Sequence, residues 1–369
     1  MSSPPIEKPR SGFGSNPSRL RSRALPAVLA VAGLSLGVFV FASAGWREIV
    51  WNVSRVGAWF PLLIVLYTLA QAAFALGWRA VIDPLPSWRQ FPRLLAVYLA
   101  GDAANTLVPG NVAGEPLKVP LLRGMAAPEA ALSSVTIHKH ADLLAQWLFV
   151  CAGVGVALTR FRLPLPASAG ALAATGGLGL LLALMTWALQ RGTYAPLLDR
   201  MARWKPLGRR LGRFRRPARA VDLRIRDFYR MHPRRFAAAV AWCFLGWCGG
   251  LLETRILLRL LTPHADWAAA FAVEALAMTL NNVFLFVPGR IGTAEGIRVA
   301  VFVLLGLPAP QGAAYALLRR ARELAWILPG LVVLAGASGR AAFGRDPGGA
   351  APPRPASLVA SIPAPESNP

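Results

Sequence analysis

Long apolar stretches separated by short polar segments run through most of this sequence. Each holds about 20 residues, enough for an α-helix to cross the hydrocarbon core of a bilayer. They begin near residues 25, 56, 132, 167, 236, 268 and 313. Hydrophobic residues make up 55% of the chain and charged residues only 15%. Because backbone exposed to lipid must satisfy its own hydrogen bonds, the sequence predicts an all-α, polytopic membrane helix bundle.

The basic residues follow this division. The chain has 40 Lys and Arg residues against 17 acidic ones, and they concentrate in loops and tails, above all in residues 191–235. Such clustering is typical of cytoplasmic loops of membrane proteins. We therefore expect anionic lipid head groups as partners of this loop, and no nucleic acid. Between residues 219 and 230, apolar residues and arginines recur at helical spacing, which fits either an amphipathic helix on anionic lipid or a solvated basic loop.

The two ends of the chain differ from the rest. Residues 1–24 form a basic tail rich in Ser, Pro and Arg, and residues 341–369 form a Pro/Ala-rich tail; both compositions predict disorder. Residues 25–340 lie between them as the predicted transmembrane domain. Its first apolar stretch, Leu25 to Ala44, is long for a signal peptide, so we interpret it as a membrane helix. The basic N-terminal tail and Arg340 predict that both termini are cytoplasmic.

The stretch from Gly101 to Arg123 interrupts the apolar pattern. It contains residues that a continuous membrane helix does not use: Pro109, Gly110, Gly114, Glu115 and Lys118. Proline breaks a helix and glycine allows tight turns, and a helix that restarts after the break presents free N–H groups. Inside a membrane such a break is tolerated where it is buried in protein or lines a cavity. The stretch therefore indicates a functional site.

A second stretch, from Asn281 to Arg298, repeats this pattern. Aligning Pro109 with Pro288 places PGNVAGE beside PGRIGTAE, and each Glu is followed three residues later by a base. We assign repeat one to residues 91–158 and repeat two to residues 268–337. If the N-terminus and the basic loop are both inside, the segment before residue 123 crosses the membrane either twice or not at all. We therefore predict a re-entrant or broken helix in each repeat, with the two repeats inverted in the membrane.

The two repeats supply the residues that we predict to bind lipid. In the first they are Asn105, Pro109, Gly110, Gly114, Glu115, Lys118, His138, Lys139, His140 and Asp142. In the second they are Asn282, Pro288, Gly289, Arg290, Gly292, Glu295, Arg298, Arg319, Arg320, Arg322 and Glu323. We expect the asparagines to cap the broken backbone, and each motif Glu to pair with the base three residues later, Lys118 or Arg298.

These two Glu–base pairs are expected to line a central cavity. The charged residues after position 137 would lie at one mouth and those after position 318 at the other, where cations can bind a lipid phosphate. Glu253 and Glu274 are interpreted as interhelical or interfacial pairs, the former with Arg255. The three cysteines show no metal-ligand spacing, so no metal or other cofactor is expected.

At these motifs the chain resembles the lysylphosphatidylglycerol synthase-type transmembrane family, a flippase-like membrane domain. The resemblance is carried by NTLVPGNVAGEPLK from Asn105, VPGRIGTAEG from Val287 and LLRRARELAWILPGL from Leu317. Within the family, the chain is most similar to the branch of hopanoid-biosynthesis-associated membrane proteins. In multidomain members the membrane part is assigned the translocation of an aminoacylated lipid made by a soluble synthase domain.

The resemblance implies a flippase or lipid-binding transporter of the bacterial inner membrane that handles an anionic or amphiphilic lipid. We expect no synthase domain in the chain and no enzymatic activity. Two alternatives stay open. The first is a membrane glycosyl- or phospho-transferase acting on a lipid-linked substrate, which would need a carboxylate pair in an outward loop, where Glu48 stands alone. The second is a non-transporting scaffold that binds enzymes of lipid (hopanoid) biosynthesis.

Overall fold

Helices make up nearly all of the described part of the chain. A computed structural model describes residues 46–107, 113–203, 214–283 and 292–343, and no strand occurs among them. The helices are α1 (Trp46–Val56), α2 (Phe60–Val81), α3 (Phe91–Leu107), α4 (Gly114–Leu121), α5 (Pro128–Arg160), α6 (Leu165–Arg191), α7 (Tyr194–Ala202), α8 (Arg215–Met231), α9 (Pro233–Leu261), α10 (Trp267–Val283), α11 (Thr293–Leu304) and α12 (Ala309–Phe343). The predicted all-α class is confirmed.

Several helices suit a bilayer. Within the described ranges, four helical stretches are long and apolar enough to cross a membrane: Ile49–Val81, which joins α1 to α2, and the helices α5, α6 and α9. The stretches predicted to span near residues 268 and 313 form α10 and α12, which fall outside that set. The predicted first span, Leu25 to Ala44, lies outside the described residues, as does most of each tail.

The order of helices in the first half recurs in the second. Helices α2 to α5 follow the pattern long helix, helix, break, short helix, long helix, and α9 to α12 follow it again. The packing corresponds as well, since α2 packs on α9, α3 on α12 and α5 on α10. Both breaks fall in residues outside the described ranges, 108–112 and 284–291. The inverted orientation and the re-entrant path in the membrane stay predictions.

Helices α2 and α9 pack closely in an antiparallel pair through small residues. Gly77 lies near Cys243, and three residues earlier Phe74 lies against Gly246. A Cβ atom added at Gly246 would stand 2.7 Å from the Phe74 ring, so a larger residue there would require that ring to move. Small residues allow membrane helices to approach in this way. The pair forms the centre around which the two halves meet.

The basic segment after α6 is largely helical. Helix α8 has the predicted amphipathic pattern, but its apolar residues Val221, Ile225 and Phe228 are buried among other helices of the protein, mainly α5. Neither of the two alternatives, an apolar stripe on lipid or a solvated loop, therefore describes these three residues, which pack inside the protein. The arginines of the opposite face, including Arg219, Arg226 and Arg230, remain exposed.

Candidate functional site

A cavity of about 620 Å³ lies where the two halves of the bundle meet. Helices α2 to α6 and α9 to α12 all contribute side chains to its wall. Its charged lining residues are Asp102, Glu115, Lys118, Lys139, Asp142, Glu253, Glu274, Arg298, Arg319, Arg322 and Glu323. Charged groups among membrane helices are rare and usually mark a substrate or ion path. This cavity is therefore the candidate functional site.

In the first half, α4 folds back closely against α3. A Cβ atom on Gly114 would stand 2.0 Å from the carbonyl oxygen of Gly101, and one on Gly101 would stand 2.4 Å from Cε of Lys118. Asn105 joins the two helices, because its Oδ1 accepts a hydrogen bond of 2.7 Å from the Gly114 N–H. Asn105 thus binds a free N–H group at the start of α4, as expected of it, while the predicted break itself lies outside the described residues. The two glycines allow Lys118 to lie along α3.

The predicted Glu115–Lys118 ion pair is present. The Nζ atom of Lys118 lies 3.1 Å from Oε2 of Glu115, and Asn105 donates a second hydrogen bond to that carboxylate. The ammonium also lies 4.9 Å from the centre of the Tyr98 ring and 5.5 Å from that of Trp78. Carboxylate and aromatic faces together compensate for the burial of this cation. Lys118 is thus held in place at the cavity wall.

The charged and histidine residues 138–142 of α5 divide between two faces of the helix. Lys139 and Asp142 line the cavity as an ion pair of 3.3 Å, and His138 lines it with its Nε2 3.1 Å from the carbonyl oxygen of Phe74. His140 points elsewhere. Its ring nitrogens lie 2.6 Å from the Tyr229 hydroxyl and 2.9 Å from Thr186, so it joins α5 to α8 and α6 and does not line the cavity.

Tyr229 lies on α8, outside the membrane-spanning helices. Burial raises the pKa of its hydroxyl above the ordinary value for tyrosine. The hydroxyl therefore keeps its proton and can donate a hydrogen bond to Nδ1 of His140. This contact ties the basic segment to the bundle, a structural role in place of the phosphate contact expected for His140.

The second motif uses its glutamate differently. One carboxylate oxygen of Glu295 accepts a hydrogen bond of 2.8 Å from the Gly292 N–H at the start of α11. The other oxygen pairs with Arg320 of α12, which also pairs with Glu323 at 3.0 Å. The expected pair between Glu295 and Arg298 is not formed. Gly292 has a φ angle of 79°, a conformation that glycine adopts readily.

Arg298 lines the cavity as a result. Its Nη1 atom is buried and has no hydrogen-bond partner within the described ranges. A guanidinium offers donors in a fork that matches a phosphate or carboxylate. The Nε atoms of Arg319 and Arg322 also lack a hydrogen-bond partner, but both guanidinium groups are held in ion pairs, with Glu274 and Glu253. Among the lining cations that the structure describes, Arg298 is therefore the one best placed to bind an anionic group from outside the protein.

A network of buried polar residues closes the other side of the cavity. Arg319 donates to both carboxylate oxygens of Glu274 at 2.9 Å, and to the hydroxyl oxygens of Thr254 and Tyr315 at 2.9 and 3.2 Å. Helices α9, α10 and α12 meet in this network. The predicted interhelical role of Glu274 is confirmed, with Arg319 as its partner.

Glu253 also pairs across helices. Its partner is Arg322 of α12, at 3.2 Å, and not Arg255 of its own helix as expected. The guanidinium of Arg322 lies 3.8 Å from the centre of the Tyr67 ring on α2. Arg322 thus connects α2, α9 and α12 beside the cavity.

The cavity contains many of the residues predicted from the sequence. Those that line it are Asn105, Glu115, Lys118, His138, Lys139, Asp142, Asn282, Arg298, Arg319, Arg322 and Glu323. Those described but outside its lining are Gly114, His140, Gly292, Glu295 and Arg320. Pro109, Gly110, Pro288, Gly289 and Arg290 lie outside the described residues. The two charged groups expected at opposite mouths, around Lys139 and Arg319, lie on one cavity.

Some lining residues were not among those predicted. Asp102, Gln71 and Tyr67 form one such group, and Glu253 and Glu274 were assigned to structural pairs alone. Their signal in the sequence was their polarity within apolar helices, which is unusual at membrane depth. Among the residues that the structure describes, no three His, Cys, Asp or Glu side chains come together as a group that could hold a metal ion.

The chain was compared with known proteins and protein families. The search of curated proteins found no match. The family profile for the lysylphosphatidylglycerol synthase TM region matches residues 26–330, which include both motifs and every residue that lines the cavity. With so much of its length matched, the chain belongs to the family of the lysylphosphatidylglycerol synthase TM region.

Proposed function

We propose that this protein is a lipid flippase that binds the head group of a membrane lipid in the central cavity. The observation that carries this proposal is the cavity itself, a polar space of about 620 Å³ inside a bundle of apolar helices. That volume lies in the usual range for binding sites of small molecules. It suits a head group, while the acyl chains stay in the surrounding bilayer. Movement of the lipid requires no chemical step, so the protein is not an enzyme.

The wall formed by α6 offers a route for the lipid. Thr175, Gly177 and Leu181 of this helix line the cavity. Leu181 is at the same time 57% exposed, and so are its neighbours Leu180 and Leu184, at 62% and 54%. A helix with one side on the cavity and the other on the bilayer can separate a head group from its acyl chains. A lipid would enter and leave along α6.

The charges that line the cavity indicate which head groups can bind there. Five cations and six carboxylates line the wall, and most of them form ion pairs within the protein. A head group that carries a positive as well as a negative charge fits such a wall better than a purely anionic one. Arg298, whose Nη1 has no partner within the described residues, would bind the phosphate.

The membrane setting belongs to the same proposal. We place the protein in the bacterial inner membrane, with both termini and the basic segment on the cytoplasmic side. The exposed arginines of α8 would contact anionic head groups of that leaflet. The hopanoid branch and contacts with lipid-biosynthesis enzymes stay predictions.

The test is reconstitution of the purified protein. Vesicles of phosphatidylethanolamine and phosphatidylglycerol would carry a trace of fluorescent phosphatidylethanolamine, and dithionite would quench the fluorophores that reach the outer leaflet. We expect faster loss of inner-leaflet fluorescence than in protein-free vesicles. Arg298→Gln should slow the protein-dependent rate by about tenfold or more, since charged hydrogen bonds are worth about 1.5–3 kcal/mol. Arg160→Gln, which changes an exposed pair with Asp266, is the matched control.

Two results would contradict the proposal. One is a rate equal to that of protein-free vesicles across a series of head groups. The other is an equal rate of lipid movement for wild type and Arg298→Gln. That result would show that the lipid does not pass through the cavity. Mass spectrometry of lipids that copurify with the protein would identify the head group.

A further inference from the structure

Asp102 differs from every other carboxylate of the cavity. It lies on α3 and lines the cavity, and its Oδ2 accepts a hydrogen bond of 2.9 Å from the side-chain amide of Gln71. The same amide nitrogen donates to the Tyr67 hydroxyl oxygen at 3.1 Å. No Lys, Arg or His forms an ion pair with Asp102 within the described ranges. Among the described residues, its carboxylate is hydrogen-bonded only to a neutral amide.

The other lining carboxylates all have a cation. Glu115 pairs with Lys118 at 3.1 Å, Asp142 with Lys139 at 3.3 Å, Glu253 with Arg322 at 3.2 Å, Glu274 with Arg319 at 2.9 Å and Glu323 with Arg320 at 3.0 Å. Ion pairing at this depth is the rule in the cavity. Asp102 is the exception among the residues that the structure describes.

None of the charged and titratable groups that face Asp102 forms an ion pair with it. They are Tyr67 of α2, Tyr98 of α3, Lys118 of α4, Lys139 of α5 and Glu323 of α12. Both lysines are bound to their own carboxylates at hydrogen-bond distance. A carboxylate without a cation is costly away from water, and it avoids that cost by taking up a proton.

We propose that Asp102 is the site at which a proton binds and leaves during transport, so that lipid movement is coupled to a proton gradient. This inference rests on the proposed function and deepens it. With Asp102 protonated, the five cations of the lining face five charged carboxylates; without the proton they face six. One proton therefore changes the net charge of the head-group site by one unit. Its uptake on one side and release on the other would give each lipid step a direction.

Proton binding can be tested without transport. Infrared difference spectra of the detergent-solubilised full chain, recorded across a pH step, show the carbonyl stretch of any carboxylic acid that gains a proton. We expect such a band in the wild type and its loss in Asp102→Asn. Asp142→Asn is the matched control, since Asp142 is a carboxylate of the same cavity with a lysine partner, and it should keep the band. Absence of the band in the wild type, or its persistence in Asp102→Asn, would overturn the proposal.

Coupling is tested in the reconstituted vesicles. With a pH difference imposed across the membrane, the wild type should accumulate fluorescent phosphatidylethanolamine in one leaflet. For one proton per lipid the ratio between leaflets reaches up to about tenfold for each pH unit. Asp102→Asn should give the same distribution with and without the gradient, whereas Asp142→Asn should keep the gradient response whatever its absolute rate.

The outcomes separate the two proposals. If the wild type distributes the lipid equally with and without the pH difference, the proposed proton coupling is wrong and the flippase assignment still holds. Movement that follows a sodium gradient in place of the pH gradient would overturn the proton as the coupled ion. If the wild type moves no lipid, the proposed function fails, and the infrared band alone then decides whether Asp102 binds a proton.

Discussion

Glu295 pairs with Arg320 on the neighbouring helix α12, and not with Arg298, which follows it by three residues on α11. In the first repeat the equivalent glutamate, Glu115, pairs with Lys118 on its own helix. Two similar motifs therefore produce different electrostatics. The first repeat holds its cation in an ion pair, and the second leaves Arg298 at the cavity with a nitrogen that has no hydrogen-bond partner among the described residues.

The two arginines should respond differently to mutation. Arg320→Gln leaves the buried carboxylate of Glu295 without its cation and should lower the free energy of unfolding by about 3–5 kcal/mol. Arg298→Gln removes a cation that forms no ion pair in the described structure, and should change that free energy by less than about 1 kcal/mol while weakening lipid binding. Denaturant titration in detergent measures the first quantity, and binding of a fluorescent phospholipid measures the second. Equal destabilisation by both changes would contradict the distinction.

The close contact between α3 and α4 predicts a specific role for Gly114. A methyl group there would stand 2.0 Å from the carbonyl oxygen of Gly101. Gly114→Ala should therefore destabilise the protein by about 1–3 kcal/mol through overpacking, and should displace Lys118 from the cavity wall. Denaturant titration measures the loss. Gly155→Ala on α5 is the control, because a methyl group there meets nothing within 4 Å.

The two alanine variants should differ clearly in stability. Alanine at position 155 should be neutral or stabilise by up to about 1 kcal/mol, since glycine is unfavourable inside a helix. A neutral Gly114→Ala variant would show that α4 does not lie against α3 as described.

The sequence was sufficient for features that depend on neighbouring residues. Apolar windows predicted the helical class, which the structure confirms. The pair Glu115–Lys118 and the cap by Asn105 also follow from positions close in the chain. Helical spacing explains His140 as well: it lies two residues from His138, so the two cannot share a face. Lys139 and Asp142, three residues apart, can and do.

Partners on other helices could not be predicted in this way. The rule for pairs three residues apart is correct for Glu115 and wrong for Glu295, because Arg320 of α12 approaches that carboxylate more closely than Arg298 does. The predicted partner of Glu253, Arg255, is wrong for a similar reason, since Arg322 pairs with Glu253 from another helix. Only the arrangement of the bundle decides among several possible partners. Asp102 lies within the first motif, but its lack of a cation partner can be recognised only when the ion pairs of all the other lining carboxylates are known.

The Arg319–Glu274 pair should be essential for the second half of the bundle. Both residues are buried, and Glu274 accepts two hydrogen bonds of 2.9 Å from the guanidinium. Glu274→Leu leaves the cation without its main partner and should cost about 3–5 kcal/mol of unfolding free energy. Replacing both residues with leucine should recover much of that loss. The exposed pair formed by Arg160 is the control, where Arg160→Gln should cost less than about 1 kcal/mol.

A double-mutant cycle in denaturant titration measures the coupling between Glu274 and Arg319. The pair is structural if the double variant is more stable than Glu274→Leu alone. If the double variant is the less stable of the two, the surrounding hydroxyls of Thr254 and Tyr315 hold Arg319 without the carboxylate.

Asp222 should hold the short helix α7 in place. Its carboxylate accepts three hydrogen bonds from the backbone N–H groups of Thr193, Tyr194 and Ala195, at 2.9, 3.0 and 2.8 Å. These are donors at the start of α7 that have no hydrogen-bond acceptor within the helix.

Asp222→Ala should destabilise this segment by about 1–2 kcal/mol, as expected for a lost N-terminal cap. Hydrogen exchange should become faster at residues 193–195 and remain unchanged in α5. Asp227, an exposed acid of the same helix, is the control, and Asp227→Ala should change neither quantity. Equal exchange in the two variants would show that the cap contributes nothing.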